Sequence, residues 1–177
     1  MAESKKASEL LAEIYRNTHY ALQSIADVLP ETENEPLRDE LIKMHDGYEQ
    51  ISGKAAVYAR DNGIELKEPN AVKKALMWSS IKLNTLKDDS KEHVAEMMTQ
   101  GTVMGITALS RSLGEMREDS DAEIIKIAEE LLQMQQKYEE RLKTSCNPPK
   151  TTDRTPNFRR AAFVILSAET HATKRPT

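Results

Sequence analysis

The sequence predicts an all-α fold, a bundle of four helices grouped into two hairpins. Three stretches repeat apolar residues in alternating steps of four and three, the spacing of a helix that packs along its length against others. The clearest stretch is Leu37, Leu41, Met44, Tyr48, Ile51, Ala55 and Tyr58. The spacing recurs at Ile124, Ala128, Leu131, Gln135, Tyr138 and Leu142, and more loosely at Ala7, Leu11, Ile14, Thr18, Ala21, Ile25 and Val28. The 177 residues, 38% hydrophobic and 31% charged with only six glycines, suit amphipathic helices around one core.

The first two helices form a hairpin. Helix 1 is expected from about Ser4 to Leu29, where Pro30 stops it. Asn34 can cap helix 2, which continues to about residue 62. Gly63 then stands where helices usually end with a residue in the left-handed conformation. Because the turn between these helices is short, they are expected to be antiparallel neighbours.

The second hairpin follows a longer and different region. Residues 64–69 are expected to be an extended linker, and residues 71–86 a shorter helix that carries Trp78, the only tryptophan. Helix 3 then runs to about residue 116, with a capping-box spacing from Asp89 to Glu92. Helix 4 runs to about residue 145, with a second capping box from Ser120 to Glu123.

The connection between the hairpins indicates the topology. Gly63 to Asp89 is about 27 residues, whereas helices in bundles are usually joined by about 2–8. A connection of that length can return along the bundle, so helices 2 and 3 are expected to run parallel. The alternative is one continuous helix over residues 71–116.

Three segments in this region carry a family resemblance. They are residues 84–86 (Asn-Thr-Leu), residues 93–98 (His-Val-Ala-Glu-Met-Met) and residues 100–106 (Gln-Gly-Thr-Val-Met-Gly-Ile). With the long crossover, they make residues 8–145 resemble the ferritin-like superfamily, in particular uncharacterised bacterial ferritin-like bundle proteins. The resemblance implies the fold and names no activity, because those proteins have none established.

Charge and composition divide the chain into a bundle domain, residues 1–146, and a tail, residues 147–177. The tail has six Lys/Arg and two Asp/Glu, a balance of +4, which leaves −8 on the bundle out of the total of −4. An acidic bundle repels phosphate backbones, so no nucleic-acid binding is expected. Proline, threonine and scattered charge predict a basic, disordered tail. The longest apolar run is too short to span a bilayer, and the charged start is unlike a signal peptide. A single cysteine, Cys146, fits a reducing cytoplasm.

A carboxylate-bridged di-metal site is the sharpest catalytic hypothesis for such a bundle. It needs a Glu-x-x-His motif on each of two helices, and the sequence has none. The nearest substitute is the reversed spacing of His93 and Glu96. Further ligand candidates are Glu13, Glu49 and Glu139, each beside an apolar stripe. Iron or another divalent metal therefore remains an alternative, and no cofactor is predicted.

A polar line on helix 3 supports two interpretations. His93, Glu96 and Gln100 share one side of a helix that is otherwise apolar almost all round, and we expect them to be buried. Asn17, Thr18 and Gln135 also interrupt apolar stripes. These polar groups form either a ligand or metal pocket or a hydrogen-bonded network that sets helix register. The spacing of Gly101 and Gly105 suggests close approach by a neighbouring backbone.

The function that the sequence favours is non-enzymatic. We expect a cytoplasmic bundle protein that acts through self-association or association with a protein partner, because helix 3 is too apolar for a lone four-helix bundle. A homodimer is the commonest closed form. The alternatives are a divergent di-metal oxidoreductase or metal-binding protein, and a four-helix ligand-sensing module.

Overall fold

A computed structural model describes residues 2–66, 90–117 and 120–146, and within these ranges the chain is helical without β-strands. The four α-helices are α1 (Ala2–Val28), α2 (Glu35–Asp61), α3 (Lys91–Met116) and α4 (Ala122–Cys146). The predicted all-α class is therefore confirmed. The predicted short helix around Trp78 and the predicted disordered tail lie outside the described residues.

The turn between α1 and α2 follows the predicted signals. A 3₁₀ turn, Leu29–Glu31, contains Pro30, which cannot donate a backbone hydrogen bond. The Asn34 side chain then accepts a hydrogen bond from the backbone N–H of Leu37 at 3.1 Å, which satisfies one of the free donors at the start of α2. The predicted cap is confirmed.

The end of α2 is a Schellman motif. Gly63 has a φ of +64°, a conformation that costs glycine little, as the sequence predicts. The N–H of Gly63 donates to the Arg60 carbonyl at 3.2 Å, and the N–H of Ile64 donates to the Ala59 carbonyl at 2.8 Å. Ile64 and Leu66 then pack against the core, so the chain turns back onto the bundle after the helix.

The first residues of α3 and α4 differ from the predicted capping boxes. Ser90 caps α3, since its hydroxyl accepts from the backbone N–H of His93 at 3.3 Å. In α4 the cap is Asp121, whose carboxylate accepts from the N–H of Glu123 at 2.7 Å. Each cap therefore lies one residue after the predicted one.

Contacts between α2 and α4 show that these helices are antiparallel. Glu40 pairs with Arg141 at 3.1 Å, the Tyr138 hydroxyl donates to the Lys43 carbonyl at 3.3 Å, and Lys54 pairs with Glu130. In one direction along the bundle axis, residue numbers therefore rise in α2 and fall in α4.

The α3–α4 hairpin is antiparallel as well. Gly105 lies against Gln135 in the middle of the hairpin, and Arg117 pairs with Glu129 near the turn. Since α4 opposes both α2 and α3, these two helices run in the same direction, as predicted. Both α2 and α3 contact α4, and α1 packs against α2 and α3 as well.

The apolar stripes predicted for α1, α2 and α4 lie largely in the core. Its fully buried side chains come from all four helices and include Leu10, Leu11, Ile14 and Ile25; Leu41, Met44 and Ala55; Val94, Ala95 and Leu109; Ile124, Ala128, Leu131 and Leu142. None of the described helices has the length and apolar character that crossing a membrane requires.

Candidate functional site

The middle of the bundle contains a polar cluster with one side chain from each helix. Asn17, Tyr48, Thr102 and Gln135 are 7%, 1%, 5% and 1% exposed. Tyr48 and Gln135 occupy positions of the predicted apolar stripes, Thr102 lies in the buried stripe of α3, and Asn17 directly precedes Thr18 of the α1 stripe. We call the four side chains of Asn17, Tyr48, Thr102 and Gln135 the central cluster. Buried polar groups of this kind require hydrogen-bond partners, because burial without a partner costs about 1–3 kcal/mol.

The central cluster is joined by directed hydrogen bonds. The Asn17 amide N–H donates to the backbone carbonyl of Gly105 at 2.9 Å, so its Oδ1 faces the opposite way, toward Gln135. Gln135 Nε2 donates to that Oδ1 at 2.8 Å and approaches the Tyr48 hydroxyl at 3.4 Å. Because a carbonyl can only accept, the Gly105 carbonyl fixes the orientation of both amides.

Two further contacts complete the central cluster. Thr102 lies close enough to Tyr48 to affect the pKa of its hydroxyl. The Thr102 hydroxyl itself donates to the Met98 carbonyl at 2.8 Å. Gln135 Oε1 is buried and has no hydrogen-bond partner in the described part of the chain. The four side chains are neutral donors and acceptors, a chemistry suited to holding four helices in one register.

Gly105 makes room for this arrangement. A Cβ atom at Gly105 would lie 2.6 Å from Gln135 Nε2 and 2.8 Å from Asn17 Oδ1, closer than real Cβ contacts. At Gly101, one turn earlier, no neighbouring atom of residues 2–66, 90–117 or 120–146 lies within 4 Å of the corresponding position. A close approach is thus made at Gly105, but by two side chains and not by the predicted neighbouring backbone, and the described residues make none at Gly101.

Burial changes the titration of Tyr48. Loss of solvation raises its pKa from 10.0 to about 12, while the hydrogen bond with Gln135 and the nearby Thr102 side chain oppose the rise. The ring also packs against Tyr138, with ring centroids 5.7 Å apart. Burial, and then the charge of Glu40, raises the pKa of Tyr138 as well.

We expect Tyr48 to make stability depend on alkaline pH. Its folded-state pKa lies above its unfolded value, so its contribution is complete below pH 10 and disappears as pH rises toward 12. Between pH 9 and pH 10.5 the wild type should lose about 1 kcal/mol more unfolding free energy than Tyr48→Phe. Urea unfolding across this range measures both slopes, and equal slopes would exclude Tyr48 as the cause.

The predicted polar line on α3 is not a buried line. Glu96 and Gln100 are exposed, and only His93 is partly buried. The prediction is wrong for Glu96 and Gln100 because the core stripe of α3 follows Met98, Thr102 and Leu109, which places positions two residues earlier on the opposite side. His93 Nε2 is nevertheless shut off from solvent and has no partner within the described ranges.

The candidate metal ligands lie apart. Glu13 pairs with Arg16, and Glu139 pairs with Lys143 at 2.6 Å. Among the described residues, one group of three side chains could hold a metal ion: His45, Asp46 and Glu49 on α2. Their potential ligand atoms lie within 4.8 Å of one another. This group is largely exposed and includes only Glu49 of the predicted set, so His93, Glu96, Glu13 and Glu139 are not brought together.

A shallow groove of about 310 Å³ lies on the outer side of α4. It is lined by Glu130, Gln133, Met134, Lys137, Tyr138 and Arg141. Glu130 and Arg141 are already engaged in ion pairs with α2, so the groove offers few free polar groups to a ligand.

The sequence indicated Asn17, Thr18 and Gln135 as polar interruptions and Gly105 as a site of close approach, but it did not indicate Tyr48 or Thr102 as polar members of this region. Thr18 is fully buried and bonds within its own helix, to the Ile14 carbonyl at 3.1 Å. Tyr48 belongs to an apolar stripe of the sequence. At a buried position its hydroxyl needs a hydrogen-bond partner, which could have indicated its polar role. Thr102 and Gly105 share the spacing of the α3 core stripe, and that spacing could have indicated that they are buried.

Comparisons with known proteins add no functional assignment. Neither the models of protein families, nor the curated proteins, nor the solved structures give a match to this chain.

Proposed function

We propose that this chain is a non-enzymatic, cytoplasmic helical-bundle protein that acts by self-association as a homodimer. The surface that we assign to this role is the outer stripe of α3, which we define as Val103, Thr107, Ser110 and Gly114. These residues follow steps of four, three and four, and all four are exposed. Such spacing is typical of a helix that packs against another helix.

The observation that carries the proposal is the absence of charge along this part of α3. Residues 97–110 contain no Asp, Glu, Lys or Arg, although the helix lies at the surface of the bundle. Val103 is 39% exposed in the middle of the segment. An exposed, uncharged stripe of mostly small side chains lets a second helix approach closely and lose little solvation.

The outward surfaces of α1, α2 and α4 differ in this respect. They carry ion pairs within and between helices, such as Arg16 with Glu13, Lys54 with Glu130 and Lys143 with Glu139. Burying such charges in an interface requires their desolvation, which is costly. Among the described helices, α3 is therefore the best candidate for an interface.

The central cluster supports the non-enzymatic part of the proposal. Its members are two amides and two hydroxyls, and burial pushes the only titratable member, Tyr48, away from neutral pH. General acid–base catalysis works best with a group whose pKa lies near the working pH. We assign the cluster to helix register rather than to a reaction or a ligand pocket.

We further propose a ferritin-like topology for the bundle. The parallel arrangement of α2 and α3 supports it. When the second helix of one hairpin runs parallel to the first helix of the next hairpin, the connection between them must be a long crossover. This proposal concerns the fold alone and does not imply a metal site.

Light scattering after size exclusion tests the dimer. We expect the wild type to have twice the chain mass of 20.0 kDa. Val103→Lys should shift the protein toward the monomer by at least about tenfold in dissociation constant, since a buried unpaired ammonium costs more than about 1.4 kcal/mol.

Val57→Lys is the matched control, since Val57 is 48% exposed on α2, outside the outer stripe. It should leave the dimer unchanged. A wild type that stays monomeric at high concentration, or a control that dissociates the dimer equally, would contradict the proposed surface.

A further inference from the structure

The uncharged segment of α3 is bounded by opposite charges. Glu96 directly precedes residues 97–110 and Arg111 directly follows them, and both side chains are exposed. Fifteen helical positions separate these charges by about 22 Å, too far for an ion pair within one chain. Among the described residues, Glu96 has no ion-pair partner, and Arg111 pairs with the exposed Glu115 at 3.3 Å. Because so exposed a pair contributes little, both Glu96 and Arg111 are available to a binding partner.

The outward residues of this segment are arranged symmetrically about its midpoint, which lies between Val103 and Met104. Their steps of four, three, one, three and four are the same in both directions of the chain: Glu96, Gln100, Val103, Met104, Thr107 and Arg111. All six are exposed, and Met104 is 74% exposed. At 3.6 residues per turn they lie within about 100° of one another around the helix. We call these six residues the symmetric face; it shares Val103 and Thr107 with the outer stripe.

Such a symmetric arrangement suits two identical helices that pack antiparallel. In a two-fold dimer, residue i of one chain contacts residue j of the other while j contacts i. With the two-fold axis at the midpoint of the symmetric face, Glu96 opposes Arg111 of the second copy, and Gln100 opposes Thr107 of the second copy. Residue 103 lies beside the axis, so it is close to residue 103 of the second copy.

Charge distinguishes the two possible orientations of the paired helices. A parallel pair would place Glu96 against Glu96 and Arg111 against Arg111, and the juxtaposition of like charges is destabilising. An antiparallel pair replaces these repulsions by two ion pairs between Glu96 and Arg111, one at each end of the contact. The ion pairs lie at the rim and stay partly solvated, while the uncharged centre of the symmetric face is buried. A shift by one helical turn would separate both ion pairs, so they also fix the register.

We propose that a second copy of this chain binds the symmetric face, so that the two α3 helices pack antiparallel about a two-fold axis between Val103 and Met104. This inference rests on the proposed homodimer and specifies its orientation and register. Gln100 and Thr107 are neutral side chains that can donate and accept hydrogen bonds across the contact. The centre of the interface therefore forms without the desolvation of a charged group.

Disulfide trapping in the full chain tests the orientation. In a Cys146→Ser background, Val103→Cys should crosslink two chains, because the two copies of residue 103 lie beside the axis. Thr107→Cys is the matched control on the same face. Its two copies would be about 10 Å apart along the helices, so it should crosslink at least about tenfold more slowly than Val103→Cys. Gln100→Cys combined with Thr107→Cys should crosslink rapidly again, because these two positions oppose each other.

Exchange of the end charges tests the register. Glu96→Arg alone should raise the dissociation constant of the dimer at least about tenfold, because two cations then meet at each end of the contact. Glu96→Arg combined with Arg111→Glu restores opposite charges at both ends and should recover most of the wild-type affinity. Light scattering over a concentration series measures these constants, and circular dichroism verifies that each variant is helical.

The possible failures of this inference and of the homodimer are distinguishable. Crosslinking of Thr107→Cys as fast as Val103→Cys would indicate parallel α3 helices and overturn the inference, while the homodimer would stand. A protein of dimeric mass in which none of the cysteine variants crosslinks would also overturn it, because the dimer would then use another surface. A doubly exchanged variant that binds no more tightly than Glu96→Arg would contradict the register. A wild type that stays monomeric would overturn the homodimer and this inference together.

Discussion

Gly105→Ala is expected to destabilise the protein by about 2 kcal/mol or more, although alanine is the better helix former. The added methyl group would lie 2.6 Å from Gln135 Nε2 and 2.8 Å from Asn17 Oδ1. Neither amide can move freely, because each is buried and held by the hydrogen bonds of the central cluster. Thermal unfolding should show a loss of about 4–8 °C for a chain of this length.

Two glycines of the same helix serve as controls. At Gly101 and Gly114, no neighbouring atom in the part of the chain that the structure describes lies within 4 Å of an added Cβ. Gly101→Ala and Gly114→Ala should therefore stabilise α3 by up to about 1 kcal/mol, the gain in helix propensity alone. If all three alanine variants were equally stable, the close packing of the central cluster around Gly105 would be refuted.

The comparison of α2 with the glycines of α3 shows which features the sequence predicts and which it does not. The stripe from Leu37 to Tyr58 is buried throughout, because steps of four and three keep every member on one side of a helix. The spacing of Gly101 and Gly105 suggests close approach at both. Only the rotation of α3 about its own axis decides which of them faces α1 and α4, and residues 97–110, which carry no charge, do not reveal that rotation.

The same uncertainty in rotation explains the polar line. His93, Glu96 and Gln100 share a side of α3, and the sequence alone shows several apolar stripes on this helix. The structure buries the stripe that contains Met98, Thr102 and Leu109 and leaves Glu96 and Gln100 in solvent. In α2 and α4, where charges cover the outer side, the buried stripe was predicted without ambiguity.

The central cluster could be predicted only in part for a different reason. Gln135 and Asn17 are visible as polar residues in apolar stripes, but their partners belong to other helices. The 2.8 Å bond between them joins residues 118 positions apart. Helix pairing at such a separation depends on how the two hairpins dock, and periodicity within one helix contains no information about that.

Replacing the two amides is expected to give strongly coupled losses of stability. Asn17→Leu leaves the Gln135 amide without its acceptor, and Gln135→Met leaves Asn17 Oδ1 without its donor. Each single variant should cost about 2–3 kcal/mol, the penalty for a buried polar group that loses its partner. The double variant removes both groups together, so its loss should be smaller than the sum by about 1–2 kcal/mol.

The double variant also tests the role assigned to the central cluster. A buried polar network can set helix register at some expense of stability, since apolar side chains would pack in more than one alignment. The double variant should therefore keep its helicity but show a lower urea m-value than the wild type, the sign of a less compact native state. Thr99→Ala on α3 is a suitable control, because the hydrogen bond of Thr99 among the described residues is within its own helix, to the Ala95 carbonyl at 2.7 Å. Additive losses with an unchanged m-value would show that Asn17 and Gln135 act independently and that apolar packing alone sets the register.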